Sequence, residues 1–298
     1  MTDDRTGAPG GPVVAIHAGA GDHAAELRDH EDDCRDALIH ALDAARAVLQ
    51  EGLDATHAVQ AAIVVLENFE LFNAGRGSTL CSDGSVEMSA ALMRGSDRQA
   101  GAVAVLRHTE NPILGARAVL ESPQVLLVGP PADDLAARAG VPQKPGEHFI
   151  TDRQRARLKD HTDQADRATV GAVCLDGDGL LAAGTSTGGI RGQPRGRVGD
   201  CPVIGAGTWA DAHAAISCTG DGEAFIRCAT AREVAGLVQQ GTPVDEAGRR
   251  ALDVIAGLQF TEGLIAVDRA GQVALPYITQ VMPRGLWRGD QEPKAWVL

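Results

Sequence analysis

Residues 168–227 read ATVGAVCLDGDGLLAAGTSTGGIRGQPRGRVGDCPVIGAGTWADAHAAISCTGDGEAFIR. Two apolar runs, Val170 to Leu175 and Leu180 to Ala183, flank the turn Asp176-Gly177-Asp178-Gly179, which is the signature of a β-hairpin. The hairpin opens at Thr169 and closes in Thr185-Ser186-Thr187-Gly188-Gly189, hydroxyls followed by glycines that permit close backbone approach. Because the start of one antiparallel strand lies beside the end of its partner, Thr169 and Thr187 are expected to be neighbours.

Further along, Arg197 and Asp200 sit in the glycine-bounded loop Gly196-Arg197-Val198-Gly199-Asp200. Together they could clamp a zwitterion, the guanidinium taking a carboxylate and the carboxylate an ammonium. Thr219-Gly220-Asp221-Gly222 follows a short apolar strand, Ala214 to Ser217, and leads into a helical run from about Glu223 to Gln240. Backbone N–H groups at such a helix start, beside a hydroxyl, suit a developing oxyanion. There is no serine–histidine pair in a nucleophile-elbow setting, so threonine is the leading nucleophile candidate.

Working outward, Pro12 to Ile16 reads as a buried strand that delivers His17-Ala18-Gly19-Ala20-Gly21 to a turn, with His17 favoured in a structural role. Apolar residues recur at Cys34, Leu38, Leu42, Ala45 and Leu49, marking an amphipathic helix stopped by Gly52. Asp54 caps a second helix. Strands are expected at Val86 to Ala91, Ala100 to Leu106 and Gln124 to Val128, and helices at Asn111 to Glu121, Ala132 to Ala139 and Val244 to Leu258. Leu264 to Val267 and Gln272 to Leu275 flank a second hairpin turn. Two hairpins exclude an all-parallel sheet, and helices flank the strand sets, so two sheets covered by helices are expected. Residues 143–168 are polar and charged, which predicts a flexible linker or an exposed helix, ending at the hairpin threonine.

With 298 residues the chain can hold a sizeable core, and with 5 Phe, 3 Trp and 1 Tyr that core falls to Ala, Val, Leu and Ile. A net charge of −13 argues against nucleic acid and anionic membranes as partners, while saying little about a small-molecule substrate, since local charge in a cleft can oppose the global sign. Its 6 cysteines show no CxxC pairing and read as buried thiols, so a reducing, cytoplasmic setting is expected. No run approaches the length of a membrane-spanning segment, and the first residues lack the apolar core of a signal peptide.

The motifs TVGAV, TSTGG, GRVGD, GAGT and CTGDGE, in this order, resemble those of the plant-type asparaginase and isoaspartyl peptidase family of N-terminal-nucleophile hydrolases. His17 to Gly21, Leu66-Glu67 with Phe72-Asn73-Ala74-Gly75, Asn111-Pro112 and Gly263 to Asp268 extend the likeness over nearly the whole chain. The resemblance implies an α+β fold, the four-layer αββα sandwich of two mainly antiparallel sheets, as one domain over residues 1–298. It further implies self-cleavage between Ala168 and Thr169, giving chains 1–168 and 169–298 and freeing Thr169 as the nucleophile. By the same likeness Thr187 would orient the Thr169 amine, and the Thr219 hydroxyl and Gly220 N–H would hold the oxyanion. Arg197 would grip the substrate α-carboxylate, and Asp200 with the Gly222 carbonyl the α-ammonium. The implied substrates are asparagine and β-aspartyl dipeptides.

No cofactor is implied for catalysis. A structural sodium ion is implied on the carbonyls of Leu66, Glu67, Phe69, Phe72, Ala74 and Arg76, as is a homo-oligomer, a dimer of αβ heterodimers. The chain departs from the family pattern at Ser89 and Arg94, where acids are usual, at Ala168 for glycine, at Cys201 for serine, and in the segments Pro276 to Thr279 and Gly285 to Gly289. A glycosylasparaginase-like amidase and a non-maturing amino-acid-binding protein remain open alternatives. A dinucleotide-binding enzyme is disfavoured, because no GxGxxG follows a strand in a βαβ setting.

Overall fold

The computed structural model describes residues 11–22, 24–159 and 168–298. In chain order the elements begin β1 (Val13–His17), α1 (Ala24–Arg28), α2 (Glu31–Gln50), α3 (Ala55–Asn68), β2 (Met88–Arg94), β3 (Ala100–Leu106), α4 (Pro112–Leu120), β4 (Leu126–Val128) and α5 (Pro130–Arg138). After a 3-10 turn (Gly146–Phe149) come α6 (Asp152–Lys159), β5 (Val170–Leu175), β6 (Leu181–Thr187), β7 (Thr208–Ala210), β8 (Ala214–Thr219), α7 (Gly222–Cys228), α8 (Thr230–Gln239) and α9 (Val244–Gly257). The chain ends in β9 (Gly263–Asp268), β10 (Val273–Ala274), β11 (Arg284–Arg288) and β12 (Lys294–Trp296).

The strands form an eight-stranded sheet, ordered β12-β11-β1-β5-β6-β2-β3-β4, and a four-stranded sheet, ordered β10-β9-β8-β7. Every pairing is antiparallel except that of β3 with β4. Helices α2, α3 and α4 cover the outer face of the large sheet, while α8 and α9 cover the small one. The sheets face each other through β1, β5 and β6 against β7, β8 and β9. This is the expected αββα sandwich.

Period-two alternation explains why the central strands read as unbroken apolar runs. On β5, Val170, Ala172 and Cys174 pack toward the helices, while Val173 and Leu175 pack into the layer between the sheets. On β9, Leu264 and Ala266 face α8 and α9, while Ile265 and Val267 face the other sheet. A strand buried on both faces has no polar side to show.

Three expectations need correction. The single helix from about Glu223 to Gln240 is two helices, broken at Ala229, whose φ of 48° is left-handed. The strand expected at Val86 to Ala91 starts at Met88 and runs on to Arg94. Over residues 143–168 the exposed-helix reading holds at α6, while the flexible-linker reading does not, since the segment is anchored as far as Lys159. Phe149 is fully buried, Gln154 donates to the Gly77 carbonyl at 2.8 Å, and Lys144 N donates to the His108 carbonyl at 2.7 Å. Averaged polarity hid two apolar pegs, Phe149 and Ile150, that seat the segment on the core. Residues 160–167 of that expectation lie outside the described residues. The C-terminal segment, where the chain departs from the family pattern, supplies β11 and β12 to one edge of the large sheet, β11 pairing with β1.

Candidate active site

The β5–β6 turn is built by Asp176, whose Oδ1 accepts Asp178 N at 3.0 Å and Leu180 N at 2.9 Å, while its Oδ2 accepts Ala55 N at 2.9 Å. One carboxylate thus fixes both the hairpin turn and the start of α3. The register that follows pairs Val170 with Ser186 and sets Thr169 beside Thr187. The Thr169 hydroxyl donates to Thr187 Oγ1 at 3.1 Å, and Thr187 Oγ1 also accepts Gly189 N at 3.0 Å. Both threonines are buried.

The peptide bond before Thr169 is held as firmly as the hydroxyl. Asn73 Nδ2 donates to the Ala168 carbonyl oxygen at 2.6 Å and to the Gly189 carbonyl at 2.7 Å, while Asn73 Oδ1 accepts Thr79 N at 2.8 Å. The Thr187 hydroxyl reaches the same Ala168 oxygen at 3.4 Å. From the other side Gly19, at φ 107°, lies against Ala168, and a Cβ there would come within 2.9 Å of Ala168 Cα. A donor on the carbonyl and a hydroxyl beside it is the geometry that polarises an amide for attack.

Behind this pair a row of buried hydroxyls ties the two sheets together. His17 Nε2 meets Ser217 Oγ at 3.0 Å, Ser217 Oγ meets Thr185 Oγ1 at 2.8 Å, and Thr208 Oγ1 donates to Thr185 Oγ1 at 2.6 Å. Burial drives the His17 imidazole down to about 3, against a smaller upward pull from the Thr169 backbone, so the ring is neutral at ordinary pH. The ring bonds Ser217 and takes no part in the hydrogen bond between the Thr169 and Thr187 hydroxyls.

Thr219 and Gly220, the expected oxyanion donors, lie across the same sheet gap. Gly171, two residues past Thr169, packs on Ser217, two residues before Thr219. Thr219 Oγ1 accepts Ala20 N at 3.0 Å, which leaves its own proton free to be donated. Gly220 adopts φ 142°, with the fully buried Glu262 carboxylate lying where a side chain would begin. Glu262 Oε2 accepts Asp221 N at 2.5 Å, and the Asp221 side chain accepts Glu223 N at 3.2 Å to cap α7.

Arg197, Asp200 and Gly222 converge as expected. A Cβ at Gly222 would lie 3.0 Å from Arg197 Nη2 and 2.9 Å from Asp200 Oδ1. Asp200 is buried, and its Oδ2 has no hydrogen-bond partner among the described residues. Burial pushes its carboxyl up to about 7, opposed by the Arg197 charge. A buried carboxylate with a spare oxygen is suited to an incoming ammonium. Cys201 Sγ donates to the Ser89 carbonyl at 3.4 Å, and Ser89 is the register partner of Thr187, so the loop carrying Arg197 and Asp200 is fastened to β2 beside Thr187 on β6. The other departure in this segment, Arg94, is satisfied locally by Asp97 at 2.7 Å.

The loop after α3 offers hard oxygen donors for the implied sodium. A Cβ at Gly77 would lie 2.8 Å from the Phe72 carbonyl and closer still to that of Glu70, so two carbonyls converge on one small space. Glu67 O accepts Arg76 N at 2.8 Å, Leu66 O accepts Phe69 N at 3.3 Å, and Phe69 O accepts Phe72 N at 3.0 Å, leaving each a second lone pair. The donor class fits an alkali ion.

A family model described as asparaginase matches residues 10–297. The chain belongs to the asparaginase family. An isoaspartyl peptidase of Escherichia coli is 38% identical over 309 residues, spanning 97% of this chain and 96% of its own. A bovine (Bos taurus) isoaspartyl peptidase/L-asparaginase is 37% identical over 295 residues, spanning 95% of this chain and 94% of its own. A probable isoaspartyl peptidase/L-asparaginase of Arabidopsis thaliana is 35% identical over 314 residues, spanning 93% and 95%.

In this asparaginase-family chain, sequence reasoning missed the side chains of Asn73, Glu223 and Glu262. Asn73 lies inside the Phe72-Asn73-Ala74-Gly75 motif and Glu223 inside Thr219-Gly220-Asp221-Gly222-Glu223, so their positions were marked although their partners were not. Glu262 carried no local signal, since its contact with Asp221 spans 41 positions. Glu67 was marked only for its carbonyl, and its side chain was missed. Its Oε1 accepts the Ser186 hydroxyl at 2.6 Å and Ile113 N at 2.9 Å, and burial pushes its carboxyl up to about 8.

Proposed function

We propose that the chain hydrolyses the side-chain amide of L-asparagine and the isopeptide bond of β-aspartyl dipeptides, using Thr169 as an N-terminal nucleophile freed by self-cleavage. The observation that carries this reading is the buried trio of Thr169 hydroxyl, Thr187 hydroxyl at 3.1 Å and an Ala168 carbonyl held by Asn73 at 2.6 Å, within a chain of this family.

In the intact chain Thr169 Oγ1 attacks the Ala168 carbonyl carbon, with Asn73 Nδ2 and the Thr187 hydroxyl facing the oxygen as it gains charge. The C–N bond breaks, the hydroxyl proton passes to the Thr169 nitrogen, and the resulting ester is hydrolysed by water. Residues 1–168 then end in a carboxylate, and Thr169 carries a free amine. With an unperturbed pKa of about 7.7–8.0, that amine is a suitable base near neutral pH.

In turnover the amine takes the hydroxyl proton as Thr169 Oγ1 attacks the substrate side-chain carbonyl. The Thr219 hydroxyl and Gly220 N–H receive the oxyanion, and the proton goes to the departing ammonia or amino acid. Water then cleaves the acyl-enzyme to release aspartate. Arg197 takes the substrate α-carboxylate, and Asp200 with the Gly222 carbonyl takes the α-ammonium. Sodium, when bound, would steady the loop through the carbonyls of Leu66, Glu67, Phe69, Phe72, Ala74 and Arg76 and supplies no bond-breaking chemistry.

Cys81, Cys174, Cys201 and Cys218 are buried thiols, which supports a reducing, cytoplasmic setting. No described helix is long and apolar enough to cross a membrane. On the family likeness two αβ units pair into a dimer, a state that sedimentation analysis reads directly.

The test of the clamp is linkage specificity. Arg197 and Asp200 read only the aspartyl half of the substrate, so several β-aspartyl dipeptides with different second residues should be cleaved. α-Aspartyl dipeptides, whose scissile carbonyl sits one carbon closer to the ammonium, should not. Comparable rates on α- and β-linked Asp-Leu would refute the clamp.

A further inference from the structure

The Arg197 guanidinium has two edges that can each hold a carboxylate by two parallel hydrogen bonds, and one of them is already in use. Nε donates to Glu223 Oε1 at 2.9 Å and Nη2 to Glu223 Oε2 at 2.7 Å, a fork on a fork. The second edge, Nη1 with Nη2, lies between two glycines. A Cβ at Gly199 would stand 2.8 Å from Nη1, and one at Gly222 3.0 Å from Nη2. Among the described residues the further side-chain acceptor on this edge is Gln193 Oε1, at 3.4 Å from Nη1 and therefore weak. That edge opens beside Asp200, where Gly222 touches both residues.

We propose that Glu223 is a positioning residue for substrate recognition, locking the Arg197 guanidinium by one edge so that the other is presented, already oriented, to the substrate α-carboxylate. This inference rests on the reading of Arg197 as the carboxylate grip.

Three features favour positioning over a role in the fold. The pair is unevenly exposed, with the Arg197 side chain at 13% and that of Glu223 at 50%, and a half-exposed ion pair contributes little to stability. Glu223 stands in the first turn of α7, a helix end that Asp221 already caps. The hydrogen bonds from Arg197 hold the Glu223 carboxyl down to about 2, so it stays ionised wherever the enzyme would work. An arginine stem has several rotatable bonds, and ordering it before the substrate arrives removes that cost from binding. A carboxylate held by one guanidinium edge leaves the other intact, which a lysine ammonium could not do.

The test compares Glu223→Ala, Glu223→Gln, Arg197→Ala and the Arg197→Ala/Glu223→Ala double variant. For each, KM and kcat on L-asparagine, the inhibition constant of L-aspartate and the self-cleavage rate are measured. Glu223→Ala should raise KM and the L-aspartate inhibition constant by about tenfold or more, the scale of one charge-assisted hydrogen bond, with kcat nearly unchanged. Glu223→Gln, which keeps one acceptor oxygen, should fall between. Self-cleavage should proceed at the parental rate, because the Ala168 end of the scissile bond has no free α-carboxylate to grip. In the double variant the loss from Glu223→Ala should vanish, since there is no guanidinium left to orient; a merely structural residue would keep its penalty there. If Arg197→Ala raises KM and Glu223→Ala does not, the positioning role is overturned while the clamp stands. If neither raises KM, the clamp itself fails. A lowered KM in Glu223→Ala would also overturn the proposal, by showing that Glu223 competes with substrate for Arg197.

Discussion

Replacing Asn73 with alanine should slow self-cleavage of the chain by about 10²–10³-fold, the cost of one oxyanion donor, roughly 2.7–4 kcal/mol. Asn73 Nδ2 stands 2.6 Å from the Ala168 oxygen, the atom that gains charge when Thr169 attacks. The remaining side-chain donor, the Thr187 hydroxyl, is 3.4 Å away, too long to take over without movement. The full penalty of a lost donor is therefore expected. Asn73 also supports Thr79 N through Oδ1, so Asn73→Asp serves as the control. It keeps that acceptor but turns an oxygen toward the Ala168 carbonyl, and should cleave at least as slowly as Asn73→Ala. The assay is a time course of chain splitting on denaturing gels after a pulse of cell-free synthesis, with circular dichroism to verify folding. Splitting of Asn73→Ala within twofold of the parent rate would refute the assignment of Asn73 as the donor for self-cleavage.

Arg197→Lys should raise KM for asparagine by tenfold or more while folding and self-cleavage persist, because a point ammonium cannot hold Glu223 and a substrate carboxylate each by two prongs; steady-state kinetics decide, and unchanged KM would mean the pair is only structural. Asp200→Asn should do two things at once. The folded-state carboxyl of Asp200 is raised from 3.8 to about 7, so its contribution to stability is fully present below about pH 4 and is lost as pH rises through 7. The neutral amide escapes that loss, so thermal melts should show Asp200→Asn more stable than the parent at pH 8, by at least about 2 °C, and no more stable at pH 4. The same variant should bind aspartate more weakly at pH 8, having lost the acceptor for the ammonium.

The hairpin was legible because its information is local. Asp176-Gly177-Asp178-Gly179 fixes the turn, the turn fixes the register, and the register places Thr169 against Thr187 with no long-range knowledge. The clamp was legible in part, since Arg197 and Asp200 are three residues apart, and Gly222 was added by family likeness alone. What stayed hidden depends on contacts across the sandwich. Asn73 reaches Ala168 over 95 positions, and Glu262 reaches Asp221 over 41. Glu67 shows the same limit from another side. Its place in the motif was marked, while the hydrogen bond from Ser186, which ties the end of α3 to β6 beside Thr187, exists only once α3 packs on the large sheet. The linker was misjudged for a related reason: mean polarity over residues 143–168 outweighed Phe149, one buried ring that anchors its first half.

The most direct measurement is the intact mass and N-terminal sequence of the purified protein, taken on the same sample whose ammonia release from L-asparagine is followed. Self-cleavage at Ala168–Thr169 requires two chains, residues 1–168 and 169–298, the second beginning Thr169-Val170-Gly171, with activity rising in step with the cleaved fraction. Thr169→Ala should remain a single folded chain that releases no ammonia. A chain that stays whole yet hydrolyses asparagine, or a Thr169→Ala variant that still splits into the same two fragments, would contradict the role given to Thr169.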